Sequence, residues 1–228
     1  MRVVSGMVLT AAVLAALVAG RSVPGHAQVA HAQVAQKSPP GDALTQSIQI
    51  YDALVSFPPA SWYTGGDPAD SSVFERNQKG PLFVFRQFPK GQNSLTWSRV
   101  YALTGYRVPP PKPVALDDVV AGAVASYVRM CGPKRTFSRT IAADTNSRTL
   151  IIHCESTGPA SGQPGYGPSV GEVALMRLFA VGRTLVQAVH VWRGNLFLQP
   201  DETTWPVDRA ELDLMIDRFA QLRVWPGR

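Results

Sequence analysis

Chemistry in this 228-residue chain has to come from the few side chains able to attack, move protons or hold a metal, and they are sparse. The sharpest motif is Gly167-Pro168-Ser169-Val170-Gly171, formally the G-x-S-x-G of a nucleophile elbow, where a strained strand-to-helix turn presents a serine. Its surroundings argue against that use. A Gly/Pro-rich loop precedes Ser169, a strand-like run follows it, and His190, the one histidine downstream, falls within the next paired strand. Gly162-Gln163-Pro164-Gly165-Tyr166-Gly167 lacks the Lys-Ser/Thr ending and the following helix of a phosphate loop, so a flexible surface loop is expected there. Of four histidines, His26 and His31 fall in the segment that signal cleavage would remove, which leaves His153 and His190, too few for a histidine-built metal site. No acid, base and nucleophile can be made to converge, so no catalytic residue, metal or cofactor is assigned.

Cys131 and Cys154 are the two cysteines. They form no Cys-x-x-Cys for redox exchange and have no further ligands beside them for zinc. His153 adjoins Cys154, but neighbours on a strand point to opposite faces, so one metal is hard for both to bind. A disulfide is expected instead, closing a loop of about 23 residues worth about 3.4 kcal/mol on the chain-entropy relation.

One face suits binding better than reaction. If Gly182-Arg183 is a type II′ turn, Val181 faces Thr184, Phe179 faces Val186, Arg177 faces Ala188, Leu175 faces His190 and Val173 faces Trp192. Arg177, His190 and Trp192 then share a face that could form a ligand groove, the arginine meeting an anion and the tryptophan supplying apolar area. The alternative is that the terminal helix covers this face and Arg177 reaches its rim. The opposite face carries Ala174, Met176, Leu178, Ala180, Leu185, Val189 and Val191, with Gln187 its one polar member, and must be buried.

The elements that position these residues follow from periodicity. Strands are expected at Leu54 to Phe57, Leu82 to Phe88 and Leu95 to Tyr106. After the stiff Pro109 to Pro113 connection the period becomes 3.6, with Leu116, Val119, Val120, Ala123, Val124, Tyr127, Val128 and Cys131 apolar. That helix has Asp117 and Asp118 in its first turn and Arg129 in its last, and Gly132-Pro133 stops it. Gly122 within it costs about 1 kcal/mol against Ala, which a closely packed neighbour could offset. A hairpin follows, Arg135 to Ala142 and Arg148 to Glu155 around Asp144-Thr145-Asn146-Ser147. The long pair Val173 to Val181 and Thr184 to Trp192 comes next. Asp208 and Glu211 then have the spacing of a capping pair before a stripe of Leu212, Met215, Ile216, Phe219 and Ala220. The fold class is therefore α+β, an antiparallel sheet with helices packed on it.

Ahead of the domain, the uncharged run Val3 to Gly20 follows Arg2 and stops at Arg21, the pattern of a secretory signal. Ala30-His31-Ala32 offers a cleavage site after Ala32, and Gly25-His26-Ala27 an alternative after Ala27; a local duplication of His-Ala-Gln-Val-Ala created the second. The division is a signal peptide at 1–32, a flexible leader at 33–47 and one α+β domain at 48–228. An uncleaved signal is the one route to a membrane, and no Cys near it suggests a lipoprotein. Cleavage removes Arg2 and Arg21 and no acid, taking the formal charge from +6 to +4. The densest basic set, Arg129, Lys134, Arg135, Arg139 and Arg148, reads as a solvated face, and weak net charge together with export argues against nucleic acid. Periplasmic or secreted localisation in a bacterium is expected.

The element order resembles the Mog1/PsbP-like superfamily, an α/β/α sandwich around an antiparallel sheet. The residues that carry the resemblance are Val55-Ser56-Phe57-Pro58-Pro59-Ala60-Ser61-Trp62, the strands through Val181-Gly182-Arg183-Thr184, and the final helix Asp208 to Leu222 after Trp205, spanning roughly 48 to 225. Phe85 to Thr104, with Phe88-Pro89-Lys90-Gly91-Gln92 and Trp97, is similar to a segment of uncharacterised exported bacterial proteins. The resemblance implies a binding or assembly role without catalysis and assigns no residue. The expectation is an exported, non-catalytic envelope protein that binds a partner protein or small ligand. Its rivals are a periplasmic hydrolase with dispersed catalytic residues and a secretion or virulence accessory factor.

Overall fold

The structure, a computed structural model, describes residues 45–110, 115–158 and 165–227. The expected signal peptide with its sites at Ala32 and Ala27, most of the leader, the centre of the Pro-rich connection and the middle of the Gly/Pro loop lie outside the described residues. In chain order the strands are β1 (Gln46–Ile50), β2 (Ala53–Phe57), β3 (Ser72–Lys79), β4 (Leu82–Pro89), β5 (Arg99–Arg107), β6 (Thr136–Ala143), β7 (Ser147–Cys154), β8 (Val170–Val181), β9 (Thr184–Asn195) and β10 (Arg223–Pro226). The helices are α1 (Pro68–Ser71), α2 (Leu116–Cys131) and α3 (Arg209–Ala220).

Seven strands form one antiparallel sheet in the order β3-β4-β5-β9-β8-β7-β6, and β1-β2-β10 form a second, smaller one. The chain is thus α+β. The long pair β8 and β9 lies at the centre of the large sheet with the expected register, Val181 opposite Thr184 and Leu175 opposite His190. Gly182 has φ +56° and Arg183 has no positive φ, the pattern of a type II′ turn rather than type I′.

Both faces of this central pair are buried, because each has its own cover. Ala174, Met176, Leu178, Val189 and Val191 pack beneath α2, which presents Ala123, Tyr127 and Cys131 to them. On the other face Val173, Leu175, Val186, Ala188 and Trp192 meet Leu212, Met215 and Phe219 of α3 and the inner side of the small sheet. Gly105 makes that second contact possible: a Cβ there would stand 2.0 Å from Ile50 Cγ2, so β1 closes on β5 where a side chain is missing. Gly122 in α2 has no such reason, since nothing lies within 4 Å of where its Cβ would be.

Several strands differ from expectation for local reasons. The third begins at Arg99 rather than Leu95, because Asn93 Oδ1 accepts from the amides of Leu95 and Thr96 at 2.8 and 3.2 Å and coils the chain before it can extend. β1 starts at Gln46, inside the segment assigned to the leader. β3 and β10 carry no apolar alternation: β3 is an edge strand with Glu75, Arg76 and Lys79 along it, the composition that discourages further pairing.

Candidate functional site

His190 and Trp192 point from β9 to the α3 face, and both are fully buried. The His190 ring lies 4.1 Å from Trp192, 5.4 Å from Trp62 and 5.9 Å from Tyr101, centroid to centroid. Its Nε2 shares a 3.1 Å hydrogen bond with Ser61 Oγ, on the segment between β2 and α1. The neighbouring backbone is fixed from α3: Arg218 Nη1 donates to the carbonyls of Pro59 and Ala60 at 3.2 and 2.5 Å. Trp192 Nε1 donates to Glu211 Oε1 at 2.8 Å, and Glu211 also pairs with Arg99 at 3.4 Å. Glu211 therefore serves the sheet, while Asp208 Oδ1 caps α3 by accepting from the Glu211 amide at 2.7 Å.

A serine bonded to an imidazole has the form of a nucleophile and its base, yet these surroundings oppose the proton transfer. Accepting a proton would make His190 an imidazolium. Burial, and then the charges of Arg99 and Arg218, hold its pKa well below the usual histidine value. Its Nδ1 has no hydrogen-bond partner among the described residues, so nothing there stabilises the cation. The Tyr101 hydroxyl, equally buried, also has no partner there; burial pushes that phenol's pKa up, with Arg218 opposing.

Arg177 occupies the other end of this face and behaves differently. Its Nη1 donates to the Phe219 carbonyl at the end of α3 at 2.6 Å, its Nε to Ser147 Oγ at 3.3 Å, and its Nη2 faces Asp144 Oδ2 at 3.4 Å. The guanidinium lies 4.9 Å over the Phe179 ring. Beside it opens a cleft of about 420 Å³ between the β6–β7 turn and the chain leaving α3, with Asp144, Asn146, Arg177 and Arg223 around Phe179, Leu222 and Val224. The expected ligand face is therefore divided: its His190 and Trp192 end is filled by α3 and aromatic rings, and its Arg177 end borders an open cleft.

The opposite face of the sheet buries a second polar cell. Glu172 on β8 is 3% exposed and accepts from Tyr166 Oη at 3.0 Å and from the Tyr127 hydroxyl of α2. Arg193 stands across the ladder from it, but the guanidinium lies 4.0 Å over Trp97 and 5.0 Å from the Tyr166 ring, and donates to the Trp97 carbonyl. Burial pushes the Glu172 carboxyl above its ordinary pKa, against the two phenols and Arg193, which pull it down. Next to this cell Cys131 and Cys154 are joined, Cα to Cα 5.7 Å, tying the end of α2 to β7.

The remaining candidates stay apart. His153 faces away from Cys154, its ring 4.4 Å from Trp205; burial and then Arg139 lower its pKa to about 4. Ser169 is exposed just before β8 and is followed by that strand rather than a helix. Leu175 is the residue opposite His190, so Ser169 lies six positions along the strand from that level, roughly 20 Å away. Among the described residues no three His, Cys, Asp or Glu side chains gather as a metal site. Ser61 and Tyr101 escaped the sequence reading because only the tertiary fold brings them to His190. Glu172 did leave a signal, the one acid in a strand whose only other charged residue is Arg177. No helix among the described residues is long and apolar enough to cross a membrane. Compared with known proteins, the chain matches no family model, and no curated protein matches it.

Proposed function

We propose that this is an exported bacterial envelope protein that binds a partner protein or small ligand without catalysing a reaction on it. The observation that carries this reading is the cleft beside Arg177: its volume of about 420 Å³ falls in the range of ligand sites, and its mainly polar lining places Arg177 and Arg223 together with Asp144 and Asn146. Export is supported by the secretory-signal pattern of residues 1–32 and by the Cys131–Cys154 disulfide. A Mog1/PsbP-like fold belongs to the same proposal, supported by the antiparallel sheet with α2 and α3 on its two faces.

The test is amide chemical-shift mapping of the mature domain against a panel of small carboxylates, amines and neutral aromatics. Binding at the cleft is expected to move Phe179, Leu222 and Val224 together, and Arg223→Glu, at an exposed position, to abolish the shifts while the rest of the spectrum holds. Shifts elsewhere, or shifts indifferent to that substitution, would remove the cleft from consideration.

A second reading, an envelope hydrolase, is favoured by one contact, the 3.1 Å Ser61–His190 hydrogen bond. It requires turnover of an ester, phosphate or peptide substrate that disappears in both Ser61→Ala and His190→Ala. Wild-type protein inert towards all three classes ends it.

A further inference from the structure

The large sheet ends in two edges, and they are finished differently. β3 carries acid and base together, Glu75, Arg76 and Lys79, and Glu75 pairs with Arg86 of β4 at 3.5 Å. β6, the other edge, carries one charge, Arg139. Phe137, Ser138, Arg139 and Thr140 are all exposed, so no described element covers this edge. Its threonines and Phe137 favour extended backbone.

The phase of the hydrogen bonds shows what the edge offers. The Glu155 amide donates to the Arg135 carbonyl at 3.0 Å, which makes Arg135 and Glu155 a bonded pair. Pairing then alternates along the ladder. Phe137 and Arg139 bond inward to His153 and Ile151 of β7, while the N–H and C=O groups of Thr136, Ser138 and Thr140 point away from the sheet. The register shifts between Thr140 and Ala142, and this bulge ends the regular edge. What remains is the straight run 136–140, with Phe137 and Arg139 side by side on the α3 face.

Charge selects the occupant. Arg129 lies in the last turn of α2, and Lys134 and Arg135 in the turn that leads into β6. Neither these three nor Arg139 pairs with a carboxylate among the described residues. Glu155, across from Arg135, is engaged with the Gln199 amide at 2.8 Å. A second copy of the chain laid along β6 would bring two such sets of cations together, and like charges facing each other across a ladder destabilise it. An acidic strand meets the opposite sign instead.

We propose that β6 is a docking edge for an extended, acidic segment of a partner polypeptide, which adds to the large sheet as a further strand. Main-chain bonds to Thr136, Ser138 and Thr140 hold it, a carboxylate faces Arg139, and an apolar side chain two positions along rests on Phe137. This names a kind of partner without resting on the cleft, which begins beyond the bulge at Asp144.

Two blocked octapeptides test it, one alternating threonine with glutamate and the other threonine with lysine, each titrated into protein expressed from the full chain. The glutamate peptide is expected to protect the Thr136, Ser138 and Thr140 amides from hydrogen exchange, which strand addition does and loose charge attraction does not. The lysine peptide should leave them exchanging. Arg139→Glu should weaken the glutamate peptide by about tenfold and admit the lysine one. Ser138→Pro removes an outward N–H without touching the ladder to β7, so the fold should hold while the protection is lost. Arg223→Glu, at the cleft, should change nothing at β6. The proposal is overturned by outward amides that the glutamate peptide leaves unprotected, or by equal protection from both peptides. Protection that appears without peptide and grows with protein concentration also overturns it, since a second copy then occupies the edge. If Ser138→Pro fails to fold, Arg139→Glu decides: a reversed preference supports the docking edge, and an unchanged one defeats it.

Discussion

The two faces of the large sheet each bury an ionisable side chain on the central strands, and they treat it in opposite ways. Under α2, Glu172 is met by two phenol hydroxyls, with an arginine across the ladder. Under α3, His190 is enclosed by three aromatic rings, with one nitrogen bonded to Ser61 and the other left without a partner among the described residues. Desolvation acts on both, so burial does not separate them. Charge does: a neutral imidazole among rings gives up only part of a hydrogen bond, whereas a carboxyl in the same setting needs either its proton or its donors. One cell behaves as packing with a polar edge, the other as a network whose strength depends on protonation.

The largest expected effect concerns the tether beside the network. Replacing both Cys131 and Cys154 with Ala should lower unfolding free energy by about 3 kcal/mol in urea titrations, and the Tyr127 and Glu172 amides should lose protection before that of His190 does. Uniform loss across both faces would mean that the disulfide does not favour the α2 side. Next in size is a paired comparison of hydroxyls. Tyr127→Phe takes a donor from a buried carboxyl and should cost about 2 kcal/mol, while Tyr101→Phe removes a hydroxyl that has no partner and should change stability by less than about 0.5 kcal/mol. Similar losses in the two variants would erase the distinction between the cells.

Much of this arrangement was readable from residue order. The β8–β9 register followed from a two-residue Gly-Arg turn and from period-two patterning, both of which are local. The span of α2 and the bridging of its last residue to β7 were equally accessible. What could not be read has physical causes. β3 sits at an edge with little to bury, so it shows no apolar alternation, although Gly80-Pro81 marks its turn with β4. The His190 cell depends on Ser61, which is 129 residues away in sequence, and local patterns carry no information on such a contact. Arg177 illustrates a divided outcome: it reaches the rim of α3, as the packed alternative required, and yet lines an open cleft.

The smallest effect, read as a slope, turns on the sign of titration. His153 shares the α3 face with His190, is 8% exposed, and its Nε2 also has no partner among the described residues. Its folded pKa is lowered to about 4, below the value of about 6.5 in an unfolded chain. Between those values the unfolded chain binds a proton that the folded one refuses. The stability due to this neutral ring is therefore complete above pH 6.5 and drains away as pH falls, by at most about 1.4 kcal/mol per pH unit for one proton. His190 drives stability in the same direction, and Glu172 in the opposite one. His153→Phe keeps an aromatic ring against Trp205 and leaves no hydrogen bond unmade, so its urea midpoint should fall less steeply than wild type from pH 6.5 to 4.5, by one proton's share. If the two profiles stay parallel, His153 is already charged in the folded protein, and the α3 face tolerates cations that its aromatic lining was argued to reject.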